Sequence, residues 1–393
     1  MRILHFTDSF APRVGGIERQ VANLVRHQRA AGDEVAVVTA VPGPPIEQGI
    51  EVIRMRPAQW RVFGSPLALN RLTRRGLAVA RAEPRADTVL HVHMSVASPL
   101  AMHAIQMATR RAIPVAVTVH SMWPSSKLAL FAANLPYWNS PMRATWSAVS
   151  TVASRQVGQL LPRVGPIAVV PNLVDAEWWC PPSAEAMAEA LPAASGAVHL
   201  VTVGRLAKRK RVGPLLSVLE QVRARLPESA PVDVTIVGEG NRRAELTGYL
   251  REHRMADWVR MPGQFPPERI RSLLHQCDVF VAPAHRESFG IAALEARCAG
   301  LPVVGFRDSG LADFITDGVD GLLVGDDAEL VDALTALASD GELRRRLRRT
   351  ALREPPAIDD AVALRAVERL YQRALGGADD PTVAAPELAV EAG

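Results

Sequence analysis

The chain is poor in the residue types that build several classes of function. Its 393 residues contain only three cysteines, Cys180, Cys277 and Cys298. Their odd number and wide spacing exclude a disulfide framework and a cysteine-based zinc site, and they fit a reducing cytosol. Phe, Trp and Tyr together make up 5% of the chain. No RNP-type aromatic signature and no Cys/His finger occurs, so nucleic acid is not an expected partner. No apolar run reaches the length of a membrane span. The opening MRILHFTDSF is interrupted by Asp8 after a short apolar run. It therefore reads as a first strand, not a signal peptide, and a cytoplasmic location is expected. Neither sign of charge dominates: the formal net charge is +4. That balance suits anionic ligands or an anionic lipid surface without requiring either.

What is present is an ordinary globular composition, 48% hydrophobic and 22% charged, in a chain long enough for two full cores. Apolar strands alternate with amphipathic helices, the pattern of a parallel sheet covered on both faces. In the first half the expected strands are Arg2–Thr7, Glu34–Thr39, Glu51–Met55, Thr88–His93, Val115–Val119, Ala148–Val152 and Ile167–Val170. Helices are expected from near Glu18, over about Leu67–Ala82, from Ser98-Pro99 and from Ser154. A Pro- and Ala-rich stretch, about Pro181–Gly196, reads as a linker. The alternation then restarts, with strands His199–Val203, Asp233–Val237, Val259–Met261, Val279–Ala282, Pro302–Gly305 and Gly321–Val324. Helices over Ala328–Arg353 and Asp359–Leu375 follow, and the small, acidic tail from Gly376 is expected to be disordered.

The most informative stretch is VAPAHRESFGIAALEARCAGLPVV, from Val281 to Val304. It reads as strand, polar loop, apolar helix and strand, a βαβ unit. Glu287 falls just past a strand's carboxyl end, where open parallel sheets bind ligands. Glu295 falls in an otherwise apolar helix, and a carboxylate there is costly unless something pairs with it. A hydroxyl-rich ligand would do so. Glu287 and Glu295, together with Ser288-Phe289-Gly290 and Ala299-Gly300-Leu301-Pro302-Val303-Val304, resemble the Glu-x7-Glu signature of the retaining glycosyltransferases of family four, glycosyl transferases group one.

That resemblance implies the GT-B architecture: an α/β fold with two Rossmann-like domains facing each other across a cleft, and a last helix crossing back to the first domain. On this reading residues 1–185 bind the acceptor, 186–355 bind the nucleotide sugar, 356–375 form the returning helix and 376–393 the tail. The implied activity is transfer of a hexose of mannose, glucose or N-acetylglucosamine type, with retention, from a UDP- or GDP-linked donor to a hydroxyl acceptor. The donor phosphate itself would help deprotonate the acceptor hydroxyl, so no side-chain nucleophile is required. No Asp-x-Asp pair lies near the site, so neither a metal nor a further cofactor is expected. A catalytically degenerate nucleotide-sugar-binding protein on the same fold is the alternative. An NAD-linked dehydrogenase fits poorly: Gly238-Glu239-Gly240 follows a strand, but Arg243 stands where the third glycine of G-x-G-x-x-G belongs.

Site residues follow from motif matches. Gly204-Arg205-Leu206-Ala207-Lys208-Arg209-Lys210 comes directly after the first strand of the second half. Arg205 offers a planar fork and Lys210 a point charge to a diphosphate, and the family places phosphate-gripping residues at both positions. The resemblance gives Glu295 the ribose hydroxyls and Glu287 the donor sugar. Backbone N–H groups of Phe289, Gly290 and Ile291 open the following helix and suit sugar or phosphate oxygens. Gly15 and Gly16 match the family's glycine loop before the first helix, and His120 matches its histidine near the reacting carbon. His91 and His93, two apart on one strand, read as structural or acceptor-side rather than metal ligands.

The sequence departs from the family at Asn172-Leu173-Val174-Asp175, where Asn-Gly-Val-Asp is usual, and at Ser309-Gly310-Leu311-Ala312-Asp313, where Gly-Gly-x-x-Glu is usual. Finally, Trp60–Arg81 mixes apolar residues with arginines, and Ser121–Trp146 is rich in large apolar residues. Together they suggest a lipid-linked acceptor and weak attachment to an anionic membrane at its inner face.

Overall fold

The computed structural model describes residues 1–13, 15–47, 49–54, 66–81, 87–123, 143–182, 196–227 and 230–376. The chain divides into two compact units. One takes in Met1–Leu173 together with the last helix, and the other Val174–Asp360.

In chain order the first unit contains β1 (Arg2–Thr7), α1 (Gly16–Ala30), β2 (Glu34–Thr39), β3 (Ile46–Glu47), β4 (Ile50–Arg54), α2 (Pro66–Arg81), β5 (Thr88–Met94), α3 (Pro99–Thr109), β6 (Val115–Val119), β7 (Thr145–Ala148), α4 (Thr151–Leu160) and β8 (Ala168–Val169). Its sheet runs β3-β4-β2-β1-β5-β6-β7-β8. All pairings are parallel except the short antiparallel β3–β4. Every residue of β1 is buried, as expected for a strand covered on both faces. Leu4 and Phe6 pack into one apolar cluster, with Leu69 and Leu72 of α2 and Leu100 of α3. Ile3 packs into another, with Val21 and Leu24 of α1.

The second unit contains α5 (Ala176–Trp179), β9 (Val198–Val203), α6 (Val212–Arg225), β10 (Val232–Val237), α7 (Arg243–Glu252), β11 (Val259–Gly263), α8 (Pro267–Leu274), β12 (Val279–Ala282), α9 (Ile291–Cys298), β13 (Val303–Phe306), β14 (Gly321–Val324), α10 (Asp327–Ser339) and α11 (Gly341–Arg353). Its parallel sheet runs β11-β10-β9-β12-β13-β14. The last helix, α12 (Asp360–Leu375), belongs to the first unit, where Ala363, Val367, Leu370 and Tyr371 join the α1 side of the core.

Two expectations need correction. The strand placed at Ala148–Val152 is Thr145–Ala148, and the helix after it starts at Thr151. Ser150 is the reason: its hydroxyl accepts from the Ala153 N–H at 3.2 Å and caps the helix. Second, the described leucines of α2 turn into the core and not toward a membrane. Leu69, Leu72 and Leu77 are buried in the core, while Arg71, Arg74 and Arg75 are exposed. Trp60, Phe63 and most of the aromatic stretch after Ser121 lie outside the described residues, as do much of the proposed linker and the tail. Among the described residues no helix is long and apolar enough to cross a membrane.

The helix that carries Glu295 also buries an arginine. Arg297 is 2% exposed; its Nε donates to Asp320 at 2.9 Å, and its two terminal nitrogens donate to the carbonyls of Ala351 and Glu354, both at 2.7 Å. The guanidinium thus pairs a carboxylate and satisfies carbonyls left over at the end of α11. Arg297→Ala leaves Asp320 buried without its charge partner. It is expected to destabilise the protein by about 3 kcal/mol or more, read as a lowered denaturant midpoint at unchanged slope; a change below about 1 kcal/mol would show that the pair is dispensable.

Candidate active site

In the second unit the strand order reverses between β9 and β12, which are neighbours although others intervene in sequence. Such switch points open a crevice beyond the strands' carboxyl ends. The loop after β9 carries Arg205 and Lys210; the loop after β12 carries Glu287, Phe289 and Gly290 and leads into Ile291, the first residue of α9. The structure brings these two loops together, with Lys210 Nζ and Glu287 Oε2 in an ion pair. Arg205, earlier in the same loop as Lys210, is exposed.

Backbone packing holds the Arg205 loop. Gly204 N–H donates to Val237 at 2.9 Å and Leu206 N–H to Glu239 at 2.9 Å, so the loop lies directly on the one after β10. A Cβ at Gly238 would meet the Gly204 oxygen at 1.8 Å, and one at Gly240 would meet the Leu206 oxygen at 2.3 Å. These glycines serve close backbone approach, and this accounts for the Gly-x-Gly pair without a dinucleotide. Arg211, next in sequence, donates to the Pro283 carbonyl at 3.2 Å and pairs with Asp327 at 2.7 and 2.5 Å. It anchors the loop to the strand end of β12 and to α10.

The Glu287 loop is fixed from the opposite side. Gly310 N–H donates to the Glu287 carbonyl at 2.9 Å, and a Cβ at Gly310 would meet the Ser288 oxygen at 2.4 Å. Ser309, standing where the family has a first glycine, donates to the Phe306 carbonyl at 2.6 Å and accepts from Leu311 N–H at 3.3 Å. The departure therefore keeps the glycine that close packing requires and replaces the other by a cap. The Phe289 ring is buried against Phe314, with ring centroids 5.6 Å apart, so only its backbone is left for a ligand. Glu295 is 7% exposed on α9, behind the helix N-terminus that Gly290 and Ile291 begin.

In the first unit Gly15 is the N-cap of α1 and Gly16 its first residue, following the carboxyl end of β1; Val14 lies outside the described residues. His120 follows β6, its N–H bonded to Met94 at the end of β5. Leu173, where the family has glycine, buries its side chain, and Gln20 grips its backbone, accepting from its N–H and donating to its carbonyl, both at 2.8 Å. Sequence reading missed Asp8. Its carboxylate accepts from the N–H groups of Leu100 and Ala101 at 3.0 and 3.1 Å and caps α3. Burial pushes the Asp8 carboxyl up to about 7 against those two donors. Also missed was His5, which the β1–β5 register sets opposite His91.

The two halves match separate family models. Residues 183–354 match glycosyl transferases group 1, and residues 14–178 match glycosyltransferase family 4. The chain belongs to this glycosyltransferase family, with the GT-B fold. Within the family it is 29% identical to a glycogen synthase of Mycobacterium tuberculosis over 97% of both chains. It is 26% identical to a D-inositol 3-phosphate glycosyltransferase of Kribbella flavida over 86% of both. Among solved structures the Anabaena protein HepE, in complex with UDP, superposes with a TM-score of 0.72 at 18% identity, over 95% of this chain and all of that one.

Burial also sets the titration of the first unit. His5 is fully buried and held down at about 4, with its bond to Gln28 opposing the shift; burial likewise lowers His120 to about 4, and His91 and His93 fall well below the usual range. A histidine depressed in the folded state favours folding above its unfolded value of 6.5, and that stability is lost as pH falls through the folded value. Asp8, displaced upward, acts in the opposite sense between 3.8 and 7, but it is a single group against four histidines. His5 alone is worth roughly 3 kcal/mol at 1.36 kcal/mol per unit. Melting temperature is therefore expected to fall steeply between pH 6.5 and 4; a flat or rising profile there would show the histidines charge without cost.

Donor contacts give a separate expectation. Arg205→Ala and Lys210→Ala should weaken nucleoside diphosphate about tenfold or more, since charge-assisted bonds contribute about 1.5–3 kcal/mol, while leaving free nucleoside binding unchanged. Glu295→Ala should weaken both. Calorimetry showing equal losses for both ligands in the Arg205 variant would remove the phosphate assignment.

Proposed function

We propose that this glycosyltransferase moves a hexose of glucose, mannose or N-acetylglucosamine type from a UDP- or GDP-linked donor to a hydroxyl acceptor, with retention of configuration and without a metal. One observation carries the reading: at the β9–β12 switch point a cationic loop with Arg205 and Lys210 lies against the loop with Glu287 and the N-terminus of α9. Cations beside a helix N-terminus suit a leaving diphosphate, whose charge grows as the sugar–phosphate bond breaks. On this reading Glu287, paired with Lys210, would accept sugar hydroxyls, and Glu295 would accept a ribose diol. The solved complex of HepE with UDP-glucose supports the donor class.

In the transfer, the donor's anomeric C–O bond breaks and the diphosphate leaves with the electron pair. The acceptor oxygen bonds to the same carbon from the same face, and its proton passes to the departing phosphate oxygen. His120 would hydrogen-bond the donor sugar. The exposed arginines of α2 provide a salt-sensitive attraction to anionic lipid, about 1 kcal/mol each, which would favour a lipid-linked acceptor.

The test is a thermal-shift panel of UDP, GDP, ADP and TDP sugars, since a ligand at a hundred times its Kd adds about 2.7 kcal/mol of stability. It is followed by product analysis by NMR in EDTA. One donor should stabilise the protein, and its sugar should emerge with unchanged anomeric configuration. Inverted product would refute retention, and activity lost in EDTA but restored by magnesium or manganese would refute metal independence. Donor binding without turnover against any acceptor or water would favour the binding-protein alternative.

A further inference from the structure

The sheet of the first unit contains a line of polar side chains that the transfer reaction does not by itself call for. His120 Nε2 lies 2.9 Å from His93 Nδ1, and His93 Nε2 lies 2.9 Å from His5 Nδ1. His5 Nε2 meets Gln28 Oε1 at 2.7 Å, and the Gln28 amide meets the Tyr371 hydroxyl at 2.8 Å. Tyr371 in turn meets His91 Nδ1 at 2.8 Å, and His91 Nε2 meets Thr118 Oγ1 at 2.8 Å. Thr118 meets Ser147 at 2.9 Å, and Ser147 donates to the Val117 carbonyl at 2.9 Å. Apart from His120, which is half-buried, every member is buried.

A backbone carbonyl only accepts, and that one fact orients the whole line. Ser147 spends its proton on Val117, so Thr118 must donate to Ser147. Thr118 then accepts, so the proton of neutral His91 sits on Nε2 and its Nδ1 is bare. Tyr371 donates to that nitrogen and must accept from Gln28 through the amide nitrogen. The Gln28 oxygen therefore faces His5, which carries its proton on Nε2. The same step repeats at His93 and again at His120. Burial keeps His5, His91 and His93 neutral, so each ring has one donor and one acceptor nitrogen.

We propose that this line of hydrogen bonds fixes the tautomer of His120, with the proton on Nε2 toward His93 and Nδ1 as the acceptor nitrogen. Gln28 on α1 and Tyr371 on α12 are then positioning residues for His120. The tautomer assignment stands on the hydrogen-bond geometry and on the neutrality of the buried rings, whatever the reaction. Its use rests on the proposed transferase reading: His120 meets a sugar hydroxyl as an acceptor, not as a proton donor.

The rival is a buried cation site, because ring nitrogens of His5, His91 and His93 all lie within 4.8 Å of one another. Each of these rings, however, has both nitrogens in hydrogen bonds. His5 holds Gln28 and His93, His91 holds Tyr371 and Thr118, and His93 holds His5 and His120. A metal needs bare nitrogens aimed at one point and would cut the line at each ring.

The experiment is long-range ¹⁵N–¹H correlation NMR on the full chain labelled at histidine nitrogen, with metal analysis of the same sample. The expected result is a single His120 species, with Nε2 of the protonated type and Nδ1 of the bare type. In Tyr371→Phe, which keeps the packed ring, the Gln28 amide can turn over, and His120 should split into both tautomers. Thr118→Ser keeps the hydroxyl and should preserve the single species. In the transfer assay Tyr371→Phe should lower kcat about tenfold with donor KM unchanged. A wild-type His120 protonated on Nδ1, a Tyr371→Phe spectrum identical to wild type at His120, or stoichiometric metal on these rings would each overturn the proposal. If the wild-type protein shows the expected tautomer but transfers no sugar, the proposed function fails and the tautomer assignment stands.

Discussion

A parallel sheet covered by helices on both faces has one place left for a ligand. Its faces are covered, so only the loops past the strands' carboxyl ends can present polar groups to a ligand without burying them in the core. Both sheets here obey that constraint. Arg205, Lys210 and Glu287 leave β9 and β12 at that edge of the second sheet, and Asp8, Gly15 and His120 follow β1 and β6 at that edge of the first. The packed interior makes these loops dependable. The Arg205 loop is laced to the β10 loop through backbone bonds that only glycine permits, and the Glu287 loop is held by Gly310 in the same way. The positions of the charged groups are thus decided by backbone approach as much as by the charges themselves.

Much of this was legible in the sequence, for identifiable reasons. Strands such as Arg2–Thr7, Glu34–Thr39 and Gly321–Val324 are short apolar runs bounded by polar or turn residues, and their limits agree with the structure. The strand before α4 was misplaced because Ala148–Val152 is more apolar than Thr145–Ala148. Ser150, a recognisable cap, carried the signal that would have corrected it. The loops after β9 and β12 stood out because their charged residues cluster within a few positions of a strand end.

The residues missed all act across long sequence separations. Arg297 reads as an ordinary charge near a helix end, and nothing local indicates that Asp320 and the carbonyls of α11 meet it in the interior. His5 becomes informative only once β1 and β5 are known to be neighbours, which is a fact of strand order. Asp8 caps a helix that starts far along the chain. Local pattern finds groups that serve a loop, but it does not find groups that complete one another through the sheet.

The histidine line shows why a folded protein keeps so many polar atoms in a core. Each of these side chains, buried alone, would cost a few kcal/mol. Joined end to end they leave no ring nitrogen of His5, His91 or His93 without a partner, so the desolvation cost of each is largely offset by its neighbours. An apolar sheet of the same shape would be simpler to stabilise, but it could not carry orientation. The line does so because its last member is a carbonyl that cannot donate. A constraint set at Val117 is transmitted through Tyr371 and Gln28 to a ring at the carboxyl edge, without any charge moving. That also explains why α12 is chemically part of the first unit and not merely packed on it: its tyrosine is the single hydroxyl that joins the His91 half of the line to the His5 half.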